Sequence, residues 1–381
     1  MKVLFYVQHL LGIGHVKRAA LVAQGMKSAG LEVVVIQGGE SVAQADFSGV
    51  RVESLPALRA ADASFSGLVD AEGNPADDAF KAKRTEQLLA LFAAEQPDAL
   101  LIESYPFGRG QLRFELEPLL KAAVATSPKP LILSSVRDIL QQRSEAKEQK
   151  TLDRLGKYFD AVLVHGQADF IPLENSFLAT PQLPVPHYYT GYVADQSAVE
   201  TSAGQGEVIV SAGGGAVGFA IMDAAIRAKP LTSLKDHRWR VLIGPNLPAA
   251  ERERLEALAD SCVIIEPVRN DFRGLLAHAA LSISQGGYNT LMDILLTRVP
   301  SLIVPFEGTG ETEQITRTRA LAGLGRLSWV AESSLTPESM AQAIEEALQQ
   351  EANHLPLDID GARTTGEIIL RLWQERETAH G

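Results

Sequence analysis

Short apolar segments alternate with amphipathic ones along almost the whole chain, and this alternation limits the fold more than any other feature of the sequence. In the first half, the apolar segments have the length and composition of buried strands; they are residues 3–7, 32–36, 99–103, 130–134 and 161–164. Segments with helical periodicity lie between them, beginning with residues 16–28. Strands that alternate with helices are typical of βαβ units around a parallel sheet. The pattern therefore predicts an α/β fold.

The same alternation restarts after a break, which predicts a second domain. Three prolines exclude residues 181–187 from a regular helix or a central strand, and residues 194–206 are rich in Ala, Ser, Gly and Gln. Later strands are predicted at residues 207–210, 239–243, 262–265, 281–284 and 301–305, and closing helices at 337–350 and 365–377. We expect an N-terminal domain at 1–193, a linker at 194–206, a C-terminal domain at 207–350, and a helical segment at 351–381 that packs back on the N-terminal domain.

Length and composition agree with this division and exclude several classes of protein. A chain of 381 residues is long enough for two domains with separate cores. The net charge of −12 argues against a broad nucleic-acid surface, and a single cysteine excludes both an intramolecular disulfide and a cysteine metal cluster. No segment approaches the ~18 apolar residues that a transmembrane helix needs. We expect a cytoplasmic protein that binds no nucleic acid, and peripheral membrane contact stays open.

A first glycine-rich turn, Gly12-Ile-Gly14-His15, follows the first predicted strand and opens a helix. The dinucleotide-binding fingerprint would place a third glycine at position 17, where Lys17 stands, and no acidic residue ends the second strand. A nicotinamide cofactor is therefore not expected. A helix N-terminus disfavours imidazolium, so His15 is available there as a neutral proton acceptor. The alternative, equally weighted on the residues alone, is that His15 only caps its helix.

A second glycine-rich turn, Gly213-Gly214-Gly215, also lies between a predicted strand and a predicted helix. Consecutive backbone amides at such a place are suited to holding a diphosphate. The less favoured alternative is a tight turn without a ligand.

The third turn places Gly286 and Gly287 before a helix that begins with Tyr288, Asn289 and Thr290. The first helical turn offers free amides to a phosphate, and Asp293 follows three residues after Thr290 on the same face, where a carboxylate can accept from ribose hydroxyls. Alternatively, Asp293 only stabilises the start of its helix. It would be unusual for all three glycine-rich turns of one chain to bind no ligand.

The run from residue 284 to 314 resembles the C-terminal nucleotide-binding region of GT-B glycosyltransferases. The likeness is to the family that includes the bacterial peptidoglycan N-acetylglucosaminyltransferase, which acts on a lipid-linked muropeptide. In that family an acid follows a turn glycine by six residues, as Asp293 follows Gly287. A strand then ends in Val-Pro-Phe, as at residues 304–306, and a polar pair holds the donor sugar. Glu313 and Gln314 fit that pair if the loop carries one extra residue; otherwise they are a solvated helix start.

This resemblance implies a GT-B fold, in which two Rossmann-like domains face each other across a cleft. It also implies that a nucleotide-sugar, expected to be a UDP-sugar, binds the C-terminal half. His15 matches the histidine of the family's N-terminal glycine-rich loop, and Val268 and Arg269 match the loop that meets the nucleobase, largely through its backbone. The implied donor-binding residues are Gly14, Gly213, Gly214, Gly215, Val268, Arg269, Gly286, Gly287, Tyr288, Asn289, Thr290, Asp293, Glu313 and Gln314.

The N-terminal half departs from the peptidoglycan enzyme. Residues 103–109 and 135–138 instead resemble a subgroup of predicted glycosyltransferases whose acceptor is not named. Gly12, Arg109 and Arg137 are the acceptor-side candidates, and the acceptor is a small molecule, a glycan or a lipid-linked molecule. The alternative for both arginines is an ordinary ion pair with a neighbouring acid.

The predicted activity is inverting glycosyl transfer without a metal or cofactor. Glycine amides and a helix N-terminus would neutralise the departing diphosphate, and His15 would deprotonate the acceptor hydroxyl. Asp358-Ile-Asp360 is the only D-x-D sequence, and we interpret it as a solvated loop.

Three other functions stay open. The first turn also resembles that of the UDP-sugar hydrolase of pseudaminic acid biosynthesis, so a nucleotide-sugar hydrolase is an alternative. A non-hydrolysing epimerase is another, although its additional paired carboxylates are not identified. A non-catalytic nucleotide-sugar-binding protein is the third.

Overall fold

The computed structural model describes residues 1–10, 14–40, 42, 45–62, 67–197, 201–212, 218–308, 312–350 and 357–380. The chain divides into two compact units. One unit contains Met1–Ala194 together with Leu357–Gly381, and the other contains Asp195–Pro356. Each unit has its own parallel sheet with helices packed against it, so the predicted α/β class is confirmed.

The first unit is built on a seven-stranded parallel sheet with the order β3-β2-β1-β6-β7-β8-β9. Its central strands are buried on both faces, as expected for a parallel sheet covered by helices on both sides. Strands β4 and β5 form a separate short antiparallel pair. The strands are β1 (Lys2–Val7), β2 (Glu32–Gln37), β3 (Arg51–Ser54), β4 (Arg59–Ala60), β5 (Leu68–Val69), β6 (Ala99–Glu103), β7 (Leu131–Arg137), β8 (Ala161–His165) and β9 (His187–Tyr189).

One helix of this unit begins at a side-chain cap, where Asp77 accepts from the backbone N–H of Phe80 at 2.7 Å. The helices are α1 (Gly14–Ser28), α2 (Asp78–Glu95), α3 (Arg113–Ala125) and α4 (Glu145–Tyr158).

The second unit repeats the architecture with a six-stranded parallel sheet of order β12-β11-β10-β13-β14-β15. Its last helix starts with a capping box between Thr336 and Ser339. The strands are β10 (Val208–Ser211), β11 (Trp239–Ile243), β12 (Val263–Pro267), β13 (Leu281–Ser284), β14 (Ser301–Ile303) and β15 (Ser328–Trp329). The helices are α5 (Phe219–Ala228), α6 (Ala249–Leu258), α7 (Phe272–His278), α8 (Tyr288–Thr297), α9 (Glu313–Gly323) and α10 (Pro337–Gln349).

The chain then returns to the first unit as α11 (Gly361–His380), which packs against α1. The two helices meet closely at two glycines. A Cβ at Gly25 would lie 2.2 Å from the carbonyl carbon of Ala362, and one at Gly366 would lie 2.7 Å from the Cβ of Ala29. A larger residue at either position would push the helices apart. None of the helices in the described residues combines the length and the hydropathy that crossing a lipid bilayer requires.

Candidate functional site

In each unit the candidate residues follow two neighbouring strands at which the strand order reverses. In the first unit these are β1 and β6, and in the second they are β10 and β13. From such a pair the connections leave towards opposite sides of the sheet, which opens a crevice at the carboxyl ends of the strands. In the chain, the three predicted glycine-rich turns come directly after β1, β10 and β13, and the third of them is wholly within the described residues.

In the first unit His15 is joined to a buried acid. The imidazole Nδ1 lies 2.7 Å from Oε1 of Glu103, the last residue of β6. Arg18, one turn further along α1, donates to the same oxygen through Nη2 at 2.7 Å. The Glu103 side chain is 1 % exposed and that of His15 is 27 % exposed. The acid is thus held from two sides, while part of the imidazole remains open to solvent.

The hydrogen bond to Glu103 decides which nitrogen of His15 acts as a base. A carboxylate accepts hydrogen bonds only, so Nδ1 carries the hydrogen and Nε2 presents its lone pair. Burial lowers the pKa of His15 to about 4, and the opposing effect of Glu103 does not restore it. Burial by itself would raise the pKa of Glu103, but His15 and two neighbouring arginines outweigh burial and hold that pKa well below its usual range. At neutral pH the pair is therefore a carboxylate beside a neutral imidazole.

Arg109 lies on the other side of the same carboxylate. Its Nη2 is 3.7 Å from Oε2 of Glu103, and its side chain is 12 % exposed. Within the described residues, four buried polar atoms here lack a hydrogen-bond partner: Nε and Nη2 of Arg109, Oε2 of Glu103, and Nδ1 of His9. Burial and then Arg109 lower the pKa of His9. These atoms are the main unsatisfied polar groups beside the His15–Glu103 pair.

Another histidine of the first unit, His165, is fully buried. His165, at the end of β8, pairs through Nε2 with Ser135 Oγ at 2.7 Å and through Nδ1 with Thr190 Oγ1 at 2.9 Å. Burial lowers the pKa of His165 to about 3. With both ring nitrogens occupied and no exposed surface, this histidine holds the ends of its strands rather than meeting a ligand.

Neither Glu103 nor Arg18 is among the site residues that the sequence predicts. One usable signal was present, because Glu103 ends an otherwise wholly apolar, buried strand. Among the other first-unit candidates, Gly14 is exposed at the start of α1 and Arg137 is half-buried at the end of β7. Gly12 lies outside the described residues.

In the second unit, α8 starts at the glycine pair as predicted. Gly287 is its N-cap residue, and Tyr288, Asn289 and Thr290 form its first turn. No side chain caps this end in the structure, so its first backbone N–H groups point away from the helix as donors. Such an end favours an anion.

Gly286 packs closely against α9. A Cβ there would lie 2.7 Å from Oγ1 of the fully buried Thr318. Oγ of Ser284, Nε2 of Gln285 and Oγ1 of Thr318 are also buried without a hydrogen-bond partner among the described residues. The end of β13 therefore combines a tight backbone approach with unsatisfied polar groups.

Asp293 lies in the second turn of α8 and is 24 % exposed. Its Oδ1 is 3.9 Å from Nη1 of Arg273, which also lies 3.5 Å from Asp195. The distance to Arg273 is that of an ion pair rather than a hydrogen bond.

The predicted polar pair forms the first two residues of α9. Gln314 accepts through Oε1 from the backbone N–H of Phe306 at 3.1 Å, which joins the Val-Pro-Phe strand end to the helix. Its NH2 group remains a donor. Glu313 pairs with the fully buried Arg317 at 3.1 Å, and that guanidinium stacks 5.1 Å from the ring of Tyr288. Of the pair, Gln314 is the better placed to contact a ligand.

The predicted nucleobase loop follows β12. Val268 donates its backbone N–H to Ile243 at 3.0 Å and leaves its side chain 45 % exposed. The guanidinium of Arg269 is clamped by both oxygens of Asp271, at 2.7 and 2.6 Å, and lies 3.3 Å from Glu266. This pairing fixes the shape of the loop and leaves Arg269 little freedom to contact a base through its side chain.

The glycines predicted to hold the diphosphate, Gly213, Gly214 and Gly215, lie outside the described residues. Within the described ranges, no three His, Cys, Asp or Glu side chains come together as a metal site.

Comparison with known proteins shows what the second unit is similar to. Residues 209–359 match the sequence profile of the glycosyltransferase family 28 C-terminal domain. The match begins at the second residue of β10 and continues past β15, so it includes both glycine-rich turns of this unit and the polar pair of α9.

Curated proteins are also similar to this chain. One relative is the UDP-N-acetylglucosamine–N-acetylmuramyl-(pentapeptide) pyrophosphoryl-undecaprenol N-acetylglucosamine transferase of Anaeromyxobacter sp. (strain K). It is 30 % identical over 152 residues, which are 39 % of this chain and 39 % of the relative. The chain thus spans about two fifths of the length of such relatives.

Solved structures extend the likeness to the whole fold. MurG of Acinetobacter baumannii aligns with a TM-score of 0.60 and 14 % identity, covering 97 % of this chain and 100 % of that protein. The calicheamicin glycosyltransferase CalG4 aligns with a TM-score of 0.60 and 15 % identity, covering 99 % of this chain and 97 % of that protein. The predicted GT-B fold is confirmed.

Proposed function

We propose that this protein is an inverting, metal-independent glycosyltransferase that moves a sugar from a UDP-sugar to an acceptor hydroxyl. The match to the family 28 C-terminal domain and the transferase names of the relatives support the reaction class and the donor. The hydrogen bond between His15 and Glu103 is the observation that carries the mechanism, because it supplies an oriented general base in the first unit.

The reaction is a single displacement. His15 Nε2 takes the proton of the acceptor hydroxyl as its oxygen attacks the anomeric carbon of the donor sugar. The bond from that carbon to the diphosphate oxygen breaks on the opposite face, and UDP leaves with the bonding electrons. The anomeric configuration inverts because one bond forms as the other breaks from the far side.

The charge that develops on UDP needs stabilisation, and backbone amides provide it in this proposal. The N-terminus of α8 after Gly287 presents its first backbone N–H groups, and the run 213–215 adds consecutive amides by its sequence. Asp293 accepts from the ribose hydroxyls, and the NH2 of Gln314 donates to the sugar. Because these donors carry the neutralisation, the step needs no divalent cation.

The first unit binds the acceptor, with Arg109 and Arg137 as its charged candidates. Towards His15, Glu103 is a positioning residue, since its Oε1 holds the tautomer and orientation of the imidazole. We place the reaction in the cytoplasm, where nucleotide-sugars are made, and a lipid-linked acceptor would bring the protein to the membrane surface.

The test is a donor assay with product analysis. The protein is incubated with UDP-N-acetylglucosamine, UDP-glucose or UDP-galactose, with and without a panel of hydroxyl acceptors, in EDTA or in Mg²⁺. We expect slow UDP release with water alone, faster release with an acceptor, an inverted anomeric centre by NMR, and no effect of EDTA. Rapid donor consumption by water alone would make the protein a hydrolase, and activity lost in EDTA and restored by Mg²⁺ would contradict the metal-independent step.

A further inference from the structure

The four unpartnered atoms beside Glu103 indicate what kind of acceptor the first unit takes, an inference that rests on the proposed function. They comprise two donors on Arg109, an acceptor on Glu103 and a ring nitrogen of His9, all buried. Buried polar groups are almost always hydrogen-bonded, because an unmade bond there costs about 1–3 kcal/mol. A cluster of such groups at the carboxyl ends of β1 and β6 is the expected appearance of a binding site without its ligand.

The free donors of Arg109 form a fork. Nε and Nη2 lie on the same edge of the guanidinium, and their parallel N–H groups match the two oxygens of a carboxylate or a phosphate.

The backbone around Arg109 adopts a strained conformation. Ser104 and Arg109 both adopt left-handed φ values, 64° and 58°, which are strained for residues other than glycine. Such strain is typical of segments that hold a functional side chain.

The charges at the site do not balance. Arg18 and Arg109 are two cations around one carboxylate, and all three side chains are 12 % exposed or less. Oε1 of Glu103 already accepts from His15 and Arg18, so Arg109 has only the 3.7 Å approach to Oε2. A cation left largely uncompensated in a buried place favours an anionic ligand.

We propose that the Arg109 fork binds an anionic group of the acceptor, a carboxylate or a phosphate, close to the hydroxyl that is glycosylated. The free Oε2 of Glu103 accepts from a hydroxyl of the same molecule. An acceptor that satisfies both carries its negative charge within a few bonds of a hydroxyl. The class is therefore hydroxy acids, sugar acids and sugar phosphates, whether free or as the end of a larger molecule.

Anion binding to Arg109 would also make His15 a more effective general base. Arg109 is among the charges that lower the pKa of His15, so neutralising it raises that pKa. A general base works best when its pKa lies near the pH of the reaction. Binding of the correct acceptor would thus raise the pKa of His15 from about 4 towards neutrality.

The experiment measures anion binding to the full chain and the pKa of His15 by NMR. The probes are inorganic phosphate, D-glycerate, D-glucuronate and glucose 6-phosphate, and the neutral counterparts are glycerol and glucose. We expect at least one anion to bind more tightly than its neutral counterpart and to raise the pKa of His15. Tighter binding of the carboxylates or of the phosphates shows which anionic group the site takes. Arg109→Gln should weaken that anion about tenfold or more, as loss of a bidentate charged contact implies.

Two variants serve as controls. Arg113→Gln removes an exposed arginine at the start of α3 and should leave anion binding unchanged. Arg109→Lys keeps the charge without the fork and should bind the anion more weakly than the wild type. UDP binding, which belongs to the second unit, checks that each variant is folded.

Two results overturn the inference: no anion binds more tightly than its neutral counterpart, or Arg109→Gln binds the anions as well as Arg113→Gln does. The proposed function fails separately, if the wild type neither binds UDP nor transfers a sugar.

Discussion

His15 Nδ1 and Glu103 Oε1 lie 2.7 Å apart although 88 positions separate the two residues in the chain. The contact exists because β1 and β6 are adjacent parallel strands, so the turn after one strand meets the last residue of the other. Arg18 holds the same oxygen from α1. The imidazole is therefore oriented by a buried charge, and its Nε2 is left to act on a substrate.

Replacing Glu103 with Gln tests this orientation. The amide is a weaker acceptor than the carboxylate, so we expect kcat to fall about 10- to 100-fold, the equivalent of the ~1.5–3 kcal/mol of a charged hydrogen bond. Loss of the negative charge also lowers the pKa of His15 further. The acid limb of kcat/KM, expected near pH 4 in the wild type, should therefore move to lower pH in the variant. Glu117→Gln, on a half-exposed ion pair with Arg154, is the matched control. An unmoved acid limb together with unchanged kcat would remove Glu103 from the mechanism.

Asp293→Ala tests the ribose contact. Loss of charge-assisted hydrogen bonds should weaken UDP binding by about 1–3 kcal/mol, measured by calorimetric titration. The control is Glu338→Ala, which removes an exposed acid from the first turn of α10. If Asp293→Ala keeps its UDP affinity and loses only thermal stability, the carboxylate serves its helix alone.

Gln314→Ala separates the sugar contact from the nucleotide contact. The NH2 of this side chain is the donor left after its oxygen accepts from Phe306, so its loss should weaken the UDP-sugar more than UDP. Competition binding with UDP and with the UDP-sugar gives the ratio of the two affinities. Gln342→Ala, on the exposed face of α10, should change neither affinity. Equal losses for UDP and the UDP-sugar would mean that Gln314 does not touch the sugar.

His165 should make the stability of the first unit depend on pH. Its pKa is lowered to about 3 in the folded protein, against about 6.5 in an unfolded chain, so the unfolded state binds a proton that the folded state does not. This contribution is complete above pH 6.5 and is lost as the pH falls towards 3, at no more than about 1.4 kcal/mol per pH unit. Calorimetric melting between pH 7 and pH 4 should therefore show a shallower decline for His165→Asn than for the wild type or for His237→Asn, which changes an exposed histidine. Parallel curves for all three proteins would show that His165 does not govern the acid sensitivity.

Local sequence patterns predicted the βαβ order and the glycine-rich turns, because periodicity and turn chemistry are properties of short segments. Strands β6, β11 and β13 begin and end where the pattern placed them. Strand β3 was missed because Arg51 and Glu53 alternate with Val52 and Ser54 at the edge of the sheet. Strand β9 was missed for a similar reason, since it is three half-buried residues that follow a proline-rich segment.

The contacts of the site depend on strand order, which no short pattern contains. His15 was predicted from its turn, but its partner Glu103 required knowing that β1 and β6 are neighbours. The pairing of Arg269 with Asp271 is local, yet its effect on the nucleobase loop follows only from the bidentate geometry. Glu313 likewise resembled a ligand contact in the sequence, whereas the structure pairs it with the buried Arg317.

The turnover of His15→Ala tests the central claim most directly. A general base contributes about 10²–10⁴-fold in rate, whereas a helix cap contributes about 1 kcal/mol to stability and nothing to the chemistry. With a UDP-sugar and an acceptor that the wild type uses, kcat should fall by at least about 10²-fold, while UDP affinity and melting temperature stay close to those of the wild type. Lys17→Ala, two residues along α1, should retain its turnover. Near-normal turnover of His15→Ala with a lowered melting temperature would contradict the account and make His15 a structural residue.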